Sequence, residues 1–297
     1  MLEKYIRHIQ DRGFSPHTIR GTRNILLRLS FWLWNKFDKR LIDASEFDIE
    51  SYVLQMKDRS LTPQTLAITT YRIAGFYRFY AKEGILLCDP TKNLFPIKDI
   101  RLLKDVPDER TIAILLAGPD EYTHLGIRDK AILELMYSSG LRKMEVHGLR
   151  VQDVDLKEGI VRILNSKGGG ERMLPIGQKA AGLIQKYLES TRPKYLRDPN
   201  VDHLFLSNTG NPIPEGAIHY IILRYKKRSP VLKNITPHSL RHACALHMLQ
   251  GGAPIHAVQE MLGHKKIETT QVYTKLCVSD LKEVLRKYHP RERQKRM

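Results

Sequence analysis

The sequence predicts a mainly α-helical chain in two domains, with a small β-hairpin or sheet set into the second. Three observations carry this expectation. Apolar residues recur at helical spacing over most of the chain, the periodicity lapses around residue 100 where prolines gather, and two short extended runs flank a Gly-rich turn at 166–170. With 297 residues, 42% of them hydrophobic, there is enough apolar material for two separate cores.

The first domain, residues 1–96, reads as about four helices. A short apolar pattern covers 2–10, and Ser15-Pro16 opens a longer one through Ile19, Leu26, Leu29 and Leu33. A third pattern covers 46–56, and Thr62-Pro63 opens the fourth, with Ile73, Phe76, Tyr77 and Tyr80. A capping hydroxyl followed by proline suits a helix start, because the hydroxyl satisfies an orphan backbone N–H and proline has none to satisfy. The aromatics Trp32, Trp34, Tyr77 and Tyr80 are candidates for stacking on bases. Core packing is the competing reading for those on the apolar stripes. Between Asp89-Pro90 and Val106-Pro107 the period is lost, which places a linker at 97–108 and a second domain at 109–297. There, helices resume at Glu109 and are interrupted by the hairpin: Gly159 to Asn165, a turn at Ser166 to Gly170, then Glu171 to Ile176. Near the end, Ser279 as N-cap and Leu281, Val284, Leu285 and Tyr288 at helical spacing predict an amphipathic helix at about 279–289. A solvated basic tail from Arg291 to Arg296 is expected to follow.

Charge narrows the partner. Lys and Arg number 49 against 32 Asp and Glu, giving a formal net charge of +17, and the pI is near 9.7. Such an excess favours a polyanion. No 18-residue apolar run, leader pattern or lipidation motif points to a membrane, so nucleic acid is the expected partner. The three cysteines, Cys88, Cys244 and Cys277, have neither disulfide-framework nor zinc-knuckle spacing, which fits a reducing cytoplasm.

Five pieces of the second domain look chemical. In Gly140-Leu141-Arg142-Lys143-Met144-Glu145, Gly140 ends one helix and Arg142 opens the next, where backbone N–H groups already favour an anion. Lys167 lies at the hairpin tip among glycines whose spacing is not that of a P-loop. In Thr236-Pro237-His238-Ser239-Leu240-Arg241, Thr236 caps, Pro237 takes the first helical position, and His238 and Arg241 share one face of the first turn. In Met261-Leu262-Gly263-His264, Gly263 is a C-cap from which His264 leaves the helix. Thr269-Thr270-Gln271-Val272-Tyr273 follows shortly after. Each piece alone has a bland reading: a solvated lysine, a core histidine, a structural tyrosine. His238 and His242 also have the i,i+4 spacing of a zinc pair, but no glutamate between them could serve as base and Arg241 would repel a dication.

Taken in order, these five motifs resemble those of the tyrosine recombinase family, the phage integrases and Xer recombinases, and the resemblance spans essentially the whole chain. It implies a two-domain C-shaped clamp on duplex DNA: a helical, SAM-like core-binding domain and an α+β catalytic domain. It implies Arg142, Lys167, His238, Arg241, His264 and Tyr273 as the catalytic set, with Glu145 supporting the first arginine. In that family the terminal helix docks into a neighbouring protomer, although here it could instead fold back on its own domain. The implied partners are DNA with paired half-sites and a homotetramer built on it, with room for a second recombinase or accessory protein. The implied location is the cytoplasm, on the nucleoid. A mobile-element integrase and a type IB topoisomerase are the alternatives. Two departures bear on packing rather than chemistry: Ala243-Cys244 stands where Thr-Phe is frequent, and His147 precedes Gly148-Leu149-Arg150.

The residue types suit phosphodiester exchange. Two guanidinium forks and imidazole N–H donors stabilise charge on the non-bridging oxygens without magnesium. On the roles that the resemblance implies, Tyr273 is expected to be the nucleophile, His238 the acceptor of its proton, His264 a donor to a phosphate oxygen, and Lys167 the acid for the leaving 5′-hydroxyl. A phosphotyrosine keeps the energy of the broken bond, so no ATP and no cofactor are expected.

Overall fold

Hydroxyl–proline pairs set the starts of both long helices in the amino-terminal unit. In the computed structural model, which describes residues 1–58, 61–94, 106–164, 171–263 and 278–293, this unit holds α1 (Leu2–Asp11), α2 (Pro16–Phe37), α3 (Glu46–Asp58) and α4 (Pro63–Lys82). Ser15 Oγ accepts from the Thr18 N–H and Thr62 Oγ1 from the Thr65 N–H, each at 3.2 Å. By contact density the chain divides into two units, Met1–Lys104 and Asp105–Met297. The linker read at 97–108 falls mostly outside the described residues.

The core of the first unit gathers Leu26, Leu29 and Leu33 of α2 with Ile73, Phe76, Tyr77 and Tyr80 of α4. Two of the base-stacking candidates are therefore interior. Tyr77 and Tyr80 are fully buried, and their hydroxyls donate to the carbonyls of Leu41 (2.7 Å) and Met1 (2.5 Å). Burial raises both phenol pKa values. Trp32 is half-buried, edge-on to Phe37 and Tyr52, whereas Trp34 is exposed.

The second unit is built around one helix. After α5 (Glu109–Ala117) comes α6 (His124–Ser138), buried along almost its whole length, so that even its charged residues Arg128, Asp129 and Glu134 are interior. Its buried charges are paired: Asp129 accepts from Arg128 (2.8 Å), Arg224 (2.8 Å) and the Tyr225 hydroxyl (2.9 Å). Then come α7 (Lys143–Gly148) and a three-stranded antiparallel sheet of β1 (Val154–Asp155), β2 (Ile160–Ile163) and β3 (Arg172–Pro175). The expected hairpin is β2–β3, with Val161 opposite Leu174 and both buried. Its turn, 165–170, lies outside the described residues. The rest is helical: α8 (Gln178–Ser190), α9 (Arg192–Tyr195), α10 (Ala217–Lys226), α11 (Pro237–Gln250), α12 (Ile255–Leu262), α13 (Val278–Tyr288) and α14 (Pro290–Arg293). Among the described residues no helix is long and apolar enough to cross a membrane.

The amphipathic stripe at the chain end is satisfied within its own unit. α13 packs on β3 and α11, and Leu281 and Leu285 enter the core. The chain then continues inward instead of fraying at Arg291. The His289 ring, fully buried, meets the Tyr137 carbonyl through Nε2 (3.2 Å), and Arg291 pairs with buried Glu134 of α6 (Nε to Oε2, 3.0 Å). Leu285→Ala is therefore expected to destabilise the free protein by about 2–5 kcal/mol, the range for a buried leucine truncated to a cavity. A thermal melt checks it; an unchanged midpoint would show that the stripe is not packed in cis in solution.

Candidate active site

The site grows from the end of α6. Past Ser138 the chain turns through Gly140, whose φ is +61°, a conformation that a side chain strains. Space is short as well: a Cβ there would lie 3.0 Å from Leu262 Cδ2 and 3.5 Å from Cys244 Sγ. The turn delivers Arg142 to the N-cap of α7. Its backbone N–H donates to Glu145 Oε2 (2.8 Å), as in a capping box, and its Nη1 donates to Glu145 Oε1 (2.9 Å). Glu145 is thereby fixed one turn into the helix, its side chain only 2% exposed.

Arg241 reaches the same carboxylate from α11. Thr236 caps that helix, accepting from the Ser239 N–H at 3.1 Å, and Pro237 takes the first position. One turn on, the buried Arg241 donates through Nη1 to the Gly140 carbonyl (2.7 Å) and through Nη2 to the Leu262 carbonyl, at the end of α12. Its Nη1 lies 3.9 Å from Glu145 Oε2. Two backbone turns and one carboxylate therefore set its position. His238 sits exposed on the first turn of the same helix. Gly263 ends α12 in the left-handed region, φ +62°. Lys167, His264 and Tyr273 lie outside the described residues.

A third arginine, which the sequence reading passed over, completes the cluster. Arg172 is the first residue of β3, and its Nη2 donates to Glu145 Oε2 at 2.9 Å. The signal was available: side chains alternate along a strand, so Arg172 shares the inward face of Leu174. Three guanidinium groups thus share one buried carboxylate, and the cluster carries excess positive charge suited to an anion. Arg241 feels this. Burial, with repulsion from Arg142 and Arg172, pushes its pKa down to about 10, against the opposing pull of Glu145.

The two departures have packing roles. Cys244 lies buried under Gly140, and burial pushes its thiol up to about 12, so it stays protonated and inert. His147 is half-buried, with Nδ1 2.7 Å from the Ile213 carbonyl, tying α7 to the loop before α10.

Comparison with known proteins shows the family and the fold. Residues 108–279 match the family model described as the phage integrase family. The tyrosine recombinase XerD of Ralstonia nicotianae is 33% identical over 281 residues, covering 95% of this chain and 91% of that protein. The tyrosine recombinase XerD of Staphylococcus epidermidis is 33% identical over 292 residues, covering 98% of this chain and 99% of that protein. Among solved structures, the Tn1549 transposon integrase in complex with circular intermediate DNA superposes with a TM-score of 0.70 at 19% identity. That superposition covers 95% of this chain and 97% of that one, a likeness of fold.

Proposed function

The chain belongs to the phage integrase family, and from that premise we propose that it is an Xer-like site-specific recombinase that breaks and rejoins duplex DNA through a 3′-phosphotyrosyl intermediate on Tyr273. The observation that carries the reading is the meeting of Arg241 with Arg142 and Glu145, remote from it in sequence, in one largely buried cluster with net positive charge. Such a cluster holds a phosphate and stabilises the charge that develops on its non-bridging oxygens.

The chemistry follows from the residue types. The Tyr273 phenol, with an ordinary pKa of about 10, gives its proton to His238 as its oxygen attacks phosphorus. Arg142 and Arg241 hold the non-bridging oxygens with help from His264, and Lys167 protonates the departing 5′-oxygen. Glu145 serves the arginines by fixing their forks. Reversal by the 5′-hydroxyl of a second strand completes the exchange without ATP or a metal ion. The amino-terminal unit is assigned as the core-binding domain and residues 109–297 as the catalytic domain. The net charge of +17 suits a chain that neutralises many phosphates. A homotetramer on paired half-sites, an accessory partner and a cytoplasmic, nucleoid-bound location complete the reading.

Selection of bound fragments from random-sequence DNA, followed by cleavage of the survivors in EDTA, tests it. The expected result is a symmetric pair of half-sites about a short spacer, cut with a covalent protein–DNA adduct. Relaxation of supercoils without site preference would favour a topoisomerase, and cleavage that only magnesium restores would require another mechanism.

A further inference from the structure

We propose that Arg172 is a third phosphate-binding arginine of this site, contacting the scissile phosphodiester beside Arg142 and Arg241. The proposal rests on the recombinase reading above and assigns a residue that the five motifs leave out.

The first observation is an imbalance of donors. Arg172 has a side chain only 12% exposed and spends Nη2 on Glu145. Its Nε and Nη1 are buried and, among the described residues, have no hydrogen-bond partner. Structural arginines in the same unit are used differently. Arg128 divides its donors between Asp129 and the Leu206 carbonyl, and Arg192 bonds the carbonyls of Val201 and His203. A charged donor buried without an acceptor is destabilising, so Nε and Nη1 of Arg172 point to an acceptor that arrives with substrate.

The second observation is how closely the backbone at the end of α12 approaches these donors. Gly263 stands against the guanidinium, and a Cβ at that position would lie 3.2 Å from both Cδ and Nε of Arg172. Any side chain there would press on the guanidinium, which only a glycine lets sit so close to this turn. Gly263 also follows Leu262, whose carbonyl holds Arg241, so the two guanidinium groups flank the same end of α12.

The third is charge. A resting phosphodiester bears one negative charge, and attack by a phenolate brings it to two in the transition state. Within the described arginine–carboxylate cluster, Arg142 and Arg241 less Glu145 leave one positive charge; Arg172 makes it two. A charge matched to the transition state accelerates the step, whereas one matched to the ground state only tightens binding.

The experiment compares two substrates. A suicide duplex carrying the selected half-site is made with either the ordinary scissile phosphodiester or a neutral methylphosphonate in its place. Covalent adduct formation is timed for the parent, Arg172→Ala and Arg172→Lys, and DNA affinity is measured by gel shift. On the phosphodiester, Arg172→Ala is expected to cleave slower by roughly 10²-fold, the usual loss for one oxyanion donor, with affinity little changed. On the methylphosphonate, which reaches only one negative charge in the transition state, the charge that Arg142 and Arg241 less Glu145 already match, the variant-to-parent gap should close. Arg172→Lys keeps a cation beside Glu145 but lacks the fork, and should show the same pattern more weakly, which keeps the test sound if the alanine variant folds poorly. Equal losses on both substrates would reduce Arg172 to a structural residue, and no loss on the phosphodiester would remove it from the site. Failure of the parent itself to form an adduct would instead overturn the recombinase reading.

Discussion

Tyr273→Phe is expected to abolish the covalent protein–DNA complex and to leave DNA affinity intact. The substitution removes one oxygen atom. Affinity for duplex DNA comes from many lysine and arginine contacts to phosphates, and a chain with 49 such residues loses none of them. The chemical step has no substitute nucleophile, because a phenyl ring cannot attack phosphorus. A denaturing gel of the variant with a labelled suicide substrate should therefore show free DNA only, while a native gel shows the parental shift. Persistence of the denaturation-resistant adduct would move the nucleophile to another residue.

Lys167→Ala is expected to slow strand cleavage by roughly 10² to 10⁴-fold, the span for loss of a general acid. The deficit should lie in one event, protonation of the departing 5′-oxygen. A substrate with sulfur at that bridging position leaves as a thiolate and needs no proton, so it should restore the lysine variant. Arg241→Ala should not be restored. In the proposed mechanism that guanidinium acts on the non-bridging oxygens, and it also ties the carbonyls of Gly140 and Leu262 together. Equal restoration of both variants, or of neither, would remove Lys167 from the acid role.

What the sequence disclosed and what it hid divide along the range of the interactions concerned. Helix starts were legible because a cap is local: Ser15 with Thr18, Thr62 with Thr65 and Thr236 with Ser239 each lie within one turn. Gly140 and Gly263 were legible as helix ends for the same reason, and both have positive φ. The two-residue β1 was not, since so short a strand has no period to detect. Helical spacing put Tyr77 and Tyr80 on an apolar stripe but could not place their hydroxyls on the carbonyls of Leu41 and Met1. The C-terminal stripe announced that it must be buried; only its packing on β3 and α11 shows where. In the site, spacing put His238 and Arg241 on one face, yet one is exposed and the other buried, because Arg241 meets a carbonyl 101 residues earlier in the chain. Arg172 was overlooked because its partner, Glu145, lies on another element 27 residues away.

The two carbonyls that hold Arg241 have an evolutionary consequence. A backbone carbonyl survives every substitution of its own side chain, so mutation of neighbours cannot readily delete the support of this guanidinium. Substitutions can then accumulate around the site without removing that support. The burden of constancy falls instead on Gly140 and Gly263, where positive φ and neighbouring atoms within 3.0 Å and 3.2 Å leave little room for a side chain. Ancestral change at either position would have needed compensating change in the segment that faces it, so these stretches of chain, far apart in the gene, are expected to have evolved as a single unit.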